Sequence, residues 1–373
     1  MKTECYSSLS ACAFLRDDWN ALVRADAVNL QGDDGTSTFE WFEAIAAAFP
    51  EAEVSRVVVA RDADVIIGVL PLVVDQSSRL GARLVAPTEL YGGRNAPLLH
   101  SNDPAILCAM LGALDAACQG WMSLQLTLVA NGEAERTLVE ACKQLSLQAT
   151  CGAEQLSPYF PILDSADEFL RGVSSDLRYR LKSSARKLAE AGIIAYRKFT
   201  HEDQARELLE TVLTIERQSW KHEAGTAITN IPRQQDFYRE LFPRALRSGL
   251  LSALVITLDE RPVAYNFGVT HCGVFCSLKI SQVEDLAKFS PSHLLNLELI
   301  NQLRLTGVRS YDCTGASEPH KLRWSNSSRH YARRQWLVFN RSAKGHFSFL
   351  SHQLRNSSKS ARDEKTDVVS GAM

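Results

Sequence analysis

The chain lacks a CxxC pair and an even cysteine count: nine cysteines, at 5, 12, 108, 118, 142, 151, 272, 276 and 313, are scattered among apolar residues. That excludes a disulfide framework and reads as small buried hydrophobes in a reducing compartment. Cys272 and Cys276 beside His271 stand in a strand-like stretch without a second ligand pair, so no metal site is expected. Long apolar runs are missing as well. The longest, Val65 to Val74, falls far short of the roughly 20 residues that span a bilayer, and the first residues, Met-Lys-Thr-Glu-Cys-Tyr-Ser-Ser, carry no apolar core of signal-peptide length. A cytoplasmic protein with no membrane insertion is expected. Net charge is nearly absent, 41 basic against 43 acidic side chains, so no overall field draws the chain to DNA or acidic membranes. The motifs GxSxG, GxxxxGK(S/T), GxGxxG and HExxH do not occur, which removes the usual grounds for a hydrolase or a nucleotide-driven ligase.

What is present is an average globular composition, 45% apolar and 23% charged, in 373 residues. That length exceeds one ordinary core and suits two domains and a tail. Arg56 to Val74 alternates in strand fashion around Arg61-Asp62-Ala63-Asp64, and Leu250 to Val269 does so around Asp259-Glu260-Arg261-Pro262, two hairpins roughly 200 residues apart. A helical run from Pro104 to Cys118 stops at Gly120 and feeds the strand Trp121 to Val129. Pro291 to Thr306, Gly307 and Val308 to Cys313 repeat the pattern. Glycine after a helix is a favoured left-handed cap, so these boundaries have a physical cause. The expected fold is α+β, one architecture used twice. A first domain spans 1–160, a second 161–340, and 341–373 forms a tail, helical near Phe347 to Leu354 and then disordered on composition.

Between the copies, Ser174 to Gly192 reads as an amphipathic helix capped by Ser174 and ended by Gly192. Leu177, Leu181, Ala185 and Leu188 give its apolar face, and Arg178, Lys182 and Arg186 a basic stripe, either a solvated face or a phosphate-contacting surface. Thr200 with Asp203 resembles a capping box for the next helix, which ends at Gln218-Ser219-Trp220-Lys221. Trp220 and Lys221 suit an acceptor-binding cleft, and Glu216, one turn earlier, would face the same way. Tyr91-Gly92-Gly93-Arg94 is either an ordinary turn or a hinged loop whose Tyr91 and Arg94 close over the acceptor. The densest cluster is Tyr311-Asp-Cys-Thr-Gly-Ala-Ser-Glu-Pro-His-Lys-Leu-Arg-Trp324, where Asp312, His320, Lys321 and Trp324 follow a strand end.

The duplicated pattern, the Leu177–Lys187 stretch, Phe289-Ser-Pro-Ser-His-Leu-Leu and the Tyr311–Lys321 segment resemble the GNAT-fold acyltransferases over residues 10 to 340. Within them the chain is similar to the two-domain CelD-like, cellulose-biosynthesis-type acetyltransferases, and more distantly to the Fem aminoacyl transferases. The resemblance implies tandem GNAT-like domains, each a mixed, mostly antiparallel sheet flanked by helices and joined by the basic helix. It also implies amide or ester formation from an acyl-CoA co-substrate, with aminoacyl-tRNA or an acyl carrier protein as alternative donors and no permanently bound cofactor. Donor phosphates would sit where a helix starts at Ser290, with Ser292 and His293 following; Lys279, in an apolar strand, would also touch ligand. Where many relatives carry a glycine after that proline this chain has Ser292, and Val283 replaces an aspartate, so Glu284 or Asp285 would supply any carboxylate.

Acyl transfer needs a base, oxyanion donors and an acid for the leaving group. Asp312 is the first candidate for the base or for orienting the nucleophile, its other role being to brace the turn through Gly315. Lys321 matches a lysine of the Fem-like relatives that meets donor or transition-state charge, and His320 is a second possible base. Trp324 joins Trp220, Lys221 and Glu216 around the acceptor, a small amine, amino sugar or saccharide precursor. A scaffold that keeps the fold without the chemistry is the contrasting class.

Overall fold

The computed structural model of the chain describes residues 1–26, 35–49, 55–75, 81–85, 96–118, 120–324 and 329–354. The first half holds β1 (Lys2–Tyr6), α1 (Arg16–Asp26), α2 (Phe39–Ala48), β2 (Ser55–Asp62), β3 (Val65–Asp75), β4 (Arg83–Val85) and β5 (Leu98–Leu99). Helix α3 (Pro104–Ala117), β6 (Ser123–Val129), α4 (Glu133–Gln144), β7 (Gln148–Cys151) and β8 (Gln155–Pro161) complete it. The second half opens with α5 (Ala166–Arg171), α6 (Ser175–Ala191), β9 (Ile194–Phe199), α7 (Ala205–Arg217), α8 (Trp220–Glu223) and α9 (Pro232–Arg247). It continues through β10 (Leu251–Leu258), β11 (Arg261–His271), β12 (Val274–Gln282), α10 (Pro291–Leu305), β13 (Ser310–Asp312), α11 (Pro319–Leu322) and β14 (Arg329–Phe339). A last helix covers 343–354, where the Phe349 ring meets Phe339 edge-on. The rest of the expected tail lies outside the described residues.

Local chemistry sets the boundaries. Asp259 and Glu260 turn the β10–β11 hairpin with φ of 47° and 67°, the two left-handed positions that a tight hairpin matched to strand twist requires. Ser174 caps α6 by accepting from the Leu177 N–H at 3.2 Å. The buried face of α6 is Leu177, Leu181, Ser184 and Leu188, so Ser184 takes the place expected of Ala185. Before α7 the capping residue is His201, not Thr200. The Gln204 side chain accepts from the N–H groups of Thr200 and His201, because an amide reaches back where a shorter aspartate does not.

All the described strands join one sheet in the order β1-β2-β3-β4-β6-β14-β8-β13-β12-β11-β10-β9, with β5 on β3 and β7 on β14. Each half builds antiparallel strands and then one parallel pair, β4 with β6 and β12 with β13. The strand after each parallel pair comes from the other half. β14 lies against β6, and β8 against β13, and β8 and β14 pair with each other where the halves meet. The boundary expected at 160 therefore falls inside a strand, β8, that pairs with strands of the second half. Alternation in β2 sends Val57 and Val59 to one core and Val58 and Ala60 to another, since helices cover both faces. The larger core runs across both halves: Trp41 on α2 meets Phe237 on α9 edge-on at 5.0 Å, and Phe49 stacks on the same ring.

Because each half borrows a strand, fragments 1–160 and 161–373 made separately should lack the cooperative thermal unfolding of the whole chain, as followed by circular dichroism. A 161–373 fragment that melts like the intact protein would contradict the exchange of strands.

Candidate active site

Strands β12 and β13 are hydrogen-bonded over three residue pairs only, Val274 with Ser310, Phe275 with Tyr311 and Cys276 with Asp312. Beyond Cys276, β12 continues along β11 to Gln282 while β13 ends, so the sheet opens between them. A bulge at Leu278 accompanies the parting, since Phe267 pairs with Lys279 and Gly268 with Ser277. Gly268 is required there: a Cβ would lie 2.2 Å from the Cys276 carbonyl oxygen.

The opening is a cleft of about 590 Å³. Ser277, Ile280, Ser281 and Gln282 of β12 form one wall, and Ser292, His293 and Asn296 of α10 a second. Tyr311, Cys313, Glu318, His320, Lys321 and Trp324 form the third, with Trp220 and Lys221 of α8 beside them. At its floor Asn296 accepts at Oδ1 from the Asn266 amide (2.8 Å) and from the Tyr311 hydroxyl (2.9 Å). The Tyr311 ring is clamped by Phe160 of the borrowed strand at 4.8 Å, and burial pushes its phenol far above the ordinary range, so it stays protonated.

The segment after β13 folds back through Thr314 and Gly315, with φ of 48° and 60°. Asp312 is 2% exposed; it accepts from the Thr314 N–H and the Tyr331 hydroxyl, each at 2.8 Å. Of its two expected roles, the structure shows the brace. In a strand Tyr311 and Cys313 face the cleft, so the residue between them cannot. Lys321 lines the cleft but donates to the Thr314 and Ala316 carbonyls (2.8 and 2.9 Å), tying the turn. His320 sits at the mouth with Glu318 at 3.2 Å. Burial and the neighbouring Asp312 push the Cys313 thiol up to about 12, which leaves it un-ionised and a poor nucleophile.

One expectation on the acceptor side changes, and so does that for Lys279. Glu216 is fully buried and away from the cleft: it accepts from the Tyr265 hydroxyl (2.6 Å) and the Ile228 N–H (2.7 Å), because the α7 face that carries it packs inward. Lys221 does line the cleft. Its ammonium donates to the Ile280 carbonyl at 2.5 Å, with Glu216 at 3.9 Å, and burial pulls it down to about 8 against the opposing pull of that carboxylate. Lys279 shares a face with Phe267 across the bulge rather than with Ser277. It is not among the lining residues, since the bulge inverts the alternation that would have aimed it there. Trp220 is 56% exposed at the rim, and Trp324 is buried edge-on to His293 at 5.9 Å. Tyr91 and Arg94 lie outside the described residues.

The start of α10 also differs from expectation. Ser290 has φ 48° and donates to the Ala287 carbonyl instead of capping. Gln282 caps in its place, its Oε1 accepting from the Ser292 N–H (3.1 Å) and hydroxyl (2.6 Å), while the His293 N–H goes to the Ser290 carbonyl. His293 lines the cleft with a buried Nδ1 that has no hydrogen-bond partner among the described residues. Burial first, then Arg323 and Arg180, hold its imidazole below the ordinary value. The basic stripe is partly spent: Arg178 donates to the Leu170, Arg171 and Val173 carbonyls at the end of α5, and Arg186 pairs with Glu190. Residues the sequence reading passed over are Asn266, Gln282 and Asn296. An asparagine inside the apolar run Val263 to Val269, and another on the buried side of α10, were the available signals.

Residues 175–322 match the family described as an acetyltransferase (GNAT) domain. That span contains every lining residue of the cleft except Trp324. No curated protein matches at a significant level. Among solved structures the chain is similar to FemX, with a TM-score of 0.63 at 10% identity over 90% of this chain and 97% of that one. A conserved protein of unknown function from Bacteroides thetaiotaomicron VPI-5482 gives 0.57 at 10% identity, over 91% of this chain and 100% of that one. A tandem GNAT protein from the clavulanic acid biosynthesis pathway gives 0.50 at 13% identity, over 91% and 98%. The chain thus has the tandem GNAT fold, Fem-like in overall shape, and is of the acyltransferase type.

Glu216→Ala should destabilise the protein by about 3 kcal/mol in chemical denaturation, because it leaves the Tyr265 hydroxyl and the Ile228 N–H buried without their acceptor. Glu216→Gln, which keeps an acceptor oxygen, should cost less. Equal, small losses in both would return Glu216 to the ligand.

Proposed function

We propose that this chain is an acyltransferase that passes an acyl group from acyl-CoA to the amine or hydroxyl of a small biosynthetic acceptor in the cytoplasm. The observation that carries the reading is the cleft between the parted strands, which, but for Trp324, falls within the acetyltransferase-domain match and is lined by the His293 imidazole. The acceptor enters past Trp220, and its nitrogen or oxygen attacks the acyl carbonyl carbon. The new N–C or O–C bond forms, the bond to the donor sulfur breaks, His293 takes the proton lost by the nucleophile, and the sulfur leaves to be protonated as thiol. A base held below its ordinary value is unprotonated, and so ready, at neutral pH. Lys321 acts as a positioning residue: by holding two carbonyls of the 314–316 turn it fixes the wall on which Tyr311 and Cys313 stand.

A second donor class is favoured by one observation. The N–H groups of Ser292 and His293, at the helix start where donor phosphates were expected, are already bonded within the protein. An aminoacyl-tRNA or an acyl carrier protein does not depend on that helix start, and the exposed Lys182 of α6 would meet its phosphates.

Purified protein incubated with acyl-CoAs and a panel of amines, with free thiol followed, should show turnover; turnover with charged tRNA alone would move the donor to the second class. His293→Ala should lower kcat/KM about a hundredfold and abolish the acidic limb of the pH profile, which in the native enzyme should lie below about 6.5. Lys321→Ala should lower kcat about tenfold and leave that limb in place. A native rate in His293→Ala would remove the imidazole from the chemistry.

A further inference from the structure

The last helix, 343–354, turns apolar side chains outward. Ser342 caps it, accepting at Oγ from the Gly345 N–H at 3.2 Å. Its inner side is seated on β14: Phe349 meets the Phe339 ring edge-on at 5.4 Å, and His352 packs beside the same ring at 6.1 Å. Gly345 is buried there, where a Cβ would run into the Asn340 carbonyl oxygen. At about 100° per residue, Ala343, Phe347, Leu350 and Leu354 fall within about 60° of one another on the opposite side. They face solvent: Phe347 is 56% exposed, Leu350 47% and Leu354 73%. Exposed apolar side chains that stand singly are ordinary, but three on one stripe of a helix whose other face is already packed call for a cover.

Charge says what that cover is. From Asn340 to Arg362 the sequence has no aspartate or glutamate and five cations, Arg341, Lys344, Arg355, Lys359 and Arg362, in a chain whose net charge is only −2. Arg341 has Asp115 at 3.7 Å, whereas Lys344 is exposed and makes no ion pair among the described residues. The residues that follow, 355–373, are mainly polar and charged, so the end of the chain makes a poor cover. A second copy laid on the stripe would bring two sets of cations together, and three side chains fall far short of the roughly 800 Å² per partner that a stable pair buries.

We propose that this helix is a peripheral membrane contact. It lies in the surface of a bilayer that contains anionic lipid, with Phe347, Leu350 and Leu354 at the upper acyl chains and Arg341, Lys344 and the cations after Leu354 at the headgroup phosphates. Such a surface takes up apolar side chains and cations together and needs no shaped pocket. A short apolar stripe and a basic cluster are each weak anchors, and together they hold. No helix among the described residues is long and apolar enough to cross a membrane, and the contact is with one leaflet. It is separate from the cleft and independent of the proposed chemistry.

The test is co-sedimentation of the full chain with vesicles of phosphatidylcholine alone and of phosphatidylcholine with an equal part of phosphatidylglycerol. The protein should sediment with the anionic vesicles and not with the neutral ones, and should be released as salt is raised. The triple variant Phe347→Ser, Leu350→Ser, Leu354→Ser should bind the anionic vesicles at least about tenfold more weakly while melting as the native chain does, because all three side chains are exposed. Lys344→Glu should weaken binding several-fold. In Leu350→Trp the added indole should shift emission to the blue on anionic vesicles, relative to the native chain, which adsorption by charge alone would not produce. No sedimentation with anionic vesicles, or a triple variant that binds them as the native chain does, would overturn the proposal. So would a native chain that is dimeric in analytical ultracentrifugation and becomes monomeric in the triple variant, which would make the stripe a contact between two copies.

Discussion

Everything in the site follows from the short parallel pairing of β12 with β13. Three residue pairs hold the strands together, and past Cys276 that edge of β12 has no strand beside it among the described residues. Backbone groups exposed in a protein interior must find partners. Here side chains fill part of the gap: Thr314 donates to the Ser277 carbonyl and Lys221 to that of Ile280. A complete strand at this place would have sealed the sheet and left no cleft.

Holding that gap open needs rigidity on its far side, and the exchanged strands provide it. Phe160 of β8 stacks on Tyr311, and the Ser157 hydroxyl donates to the Gly315 carbonyl at 2.7 Å. Tyr331 of β14 fixes Asp312. The turn that lines the cleft is thus braced by a strand that precedes it by about 150 residues and by one that follows it, so the first half braces the cleft without lining it. The first-half counterpart of the β13 turn lies at β6, which β14 covers along its length, from Ser123 to Val129.

Much of the architecture was legible in the sequence where it depends on neighbours along the chain. The hairpin at Asp259-Glu260, the Ser174 cap and the repeated helix, glycine and strand pattern are local, and the structure has them. The tandem GNAT fold was legible through the resemblance of those segments to the GNAT-fold acyltransferases. The candidate site was legible as a region but not atom by atom. Asp312 stood out as the acid of a dense segment, yet strand parity turns it away from Tyr311 and Cys313, and sequence alone does not say which parity faces ligand. Lys279 was misplaced by a bulge at Leu278, invisible because it depends on Gly268 in another strand. Glu216 was placed on the correct helix and the wrong side of it. The exchange of β8 and β14 was not legible, since pairing across so long a separation leaves no local trace.

The most direct measurement is a structure of the protein with a non-reactive thioether analogue of the acyl donor. The acyl carbon should lie between β12 and the turn after β13, with the site of the attacking atom within about 3 Å of the His293 ring. An analogue bound elsewhere, with its acyl group in the groove beside Glu135 and Arg334 or on the surface of α6, would contradict the assignment of chemistry to the parted strands.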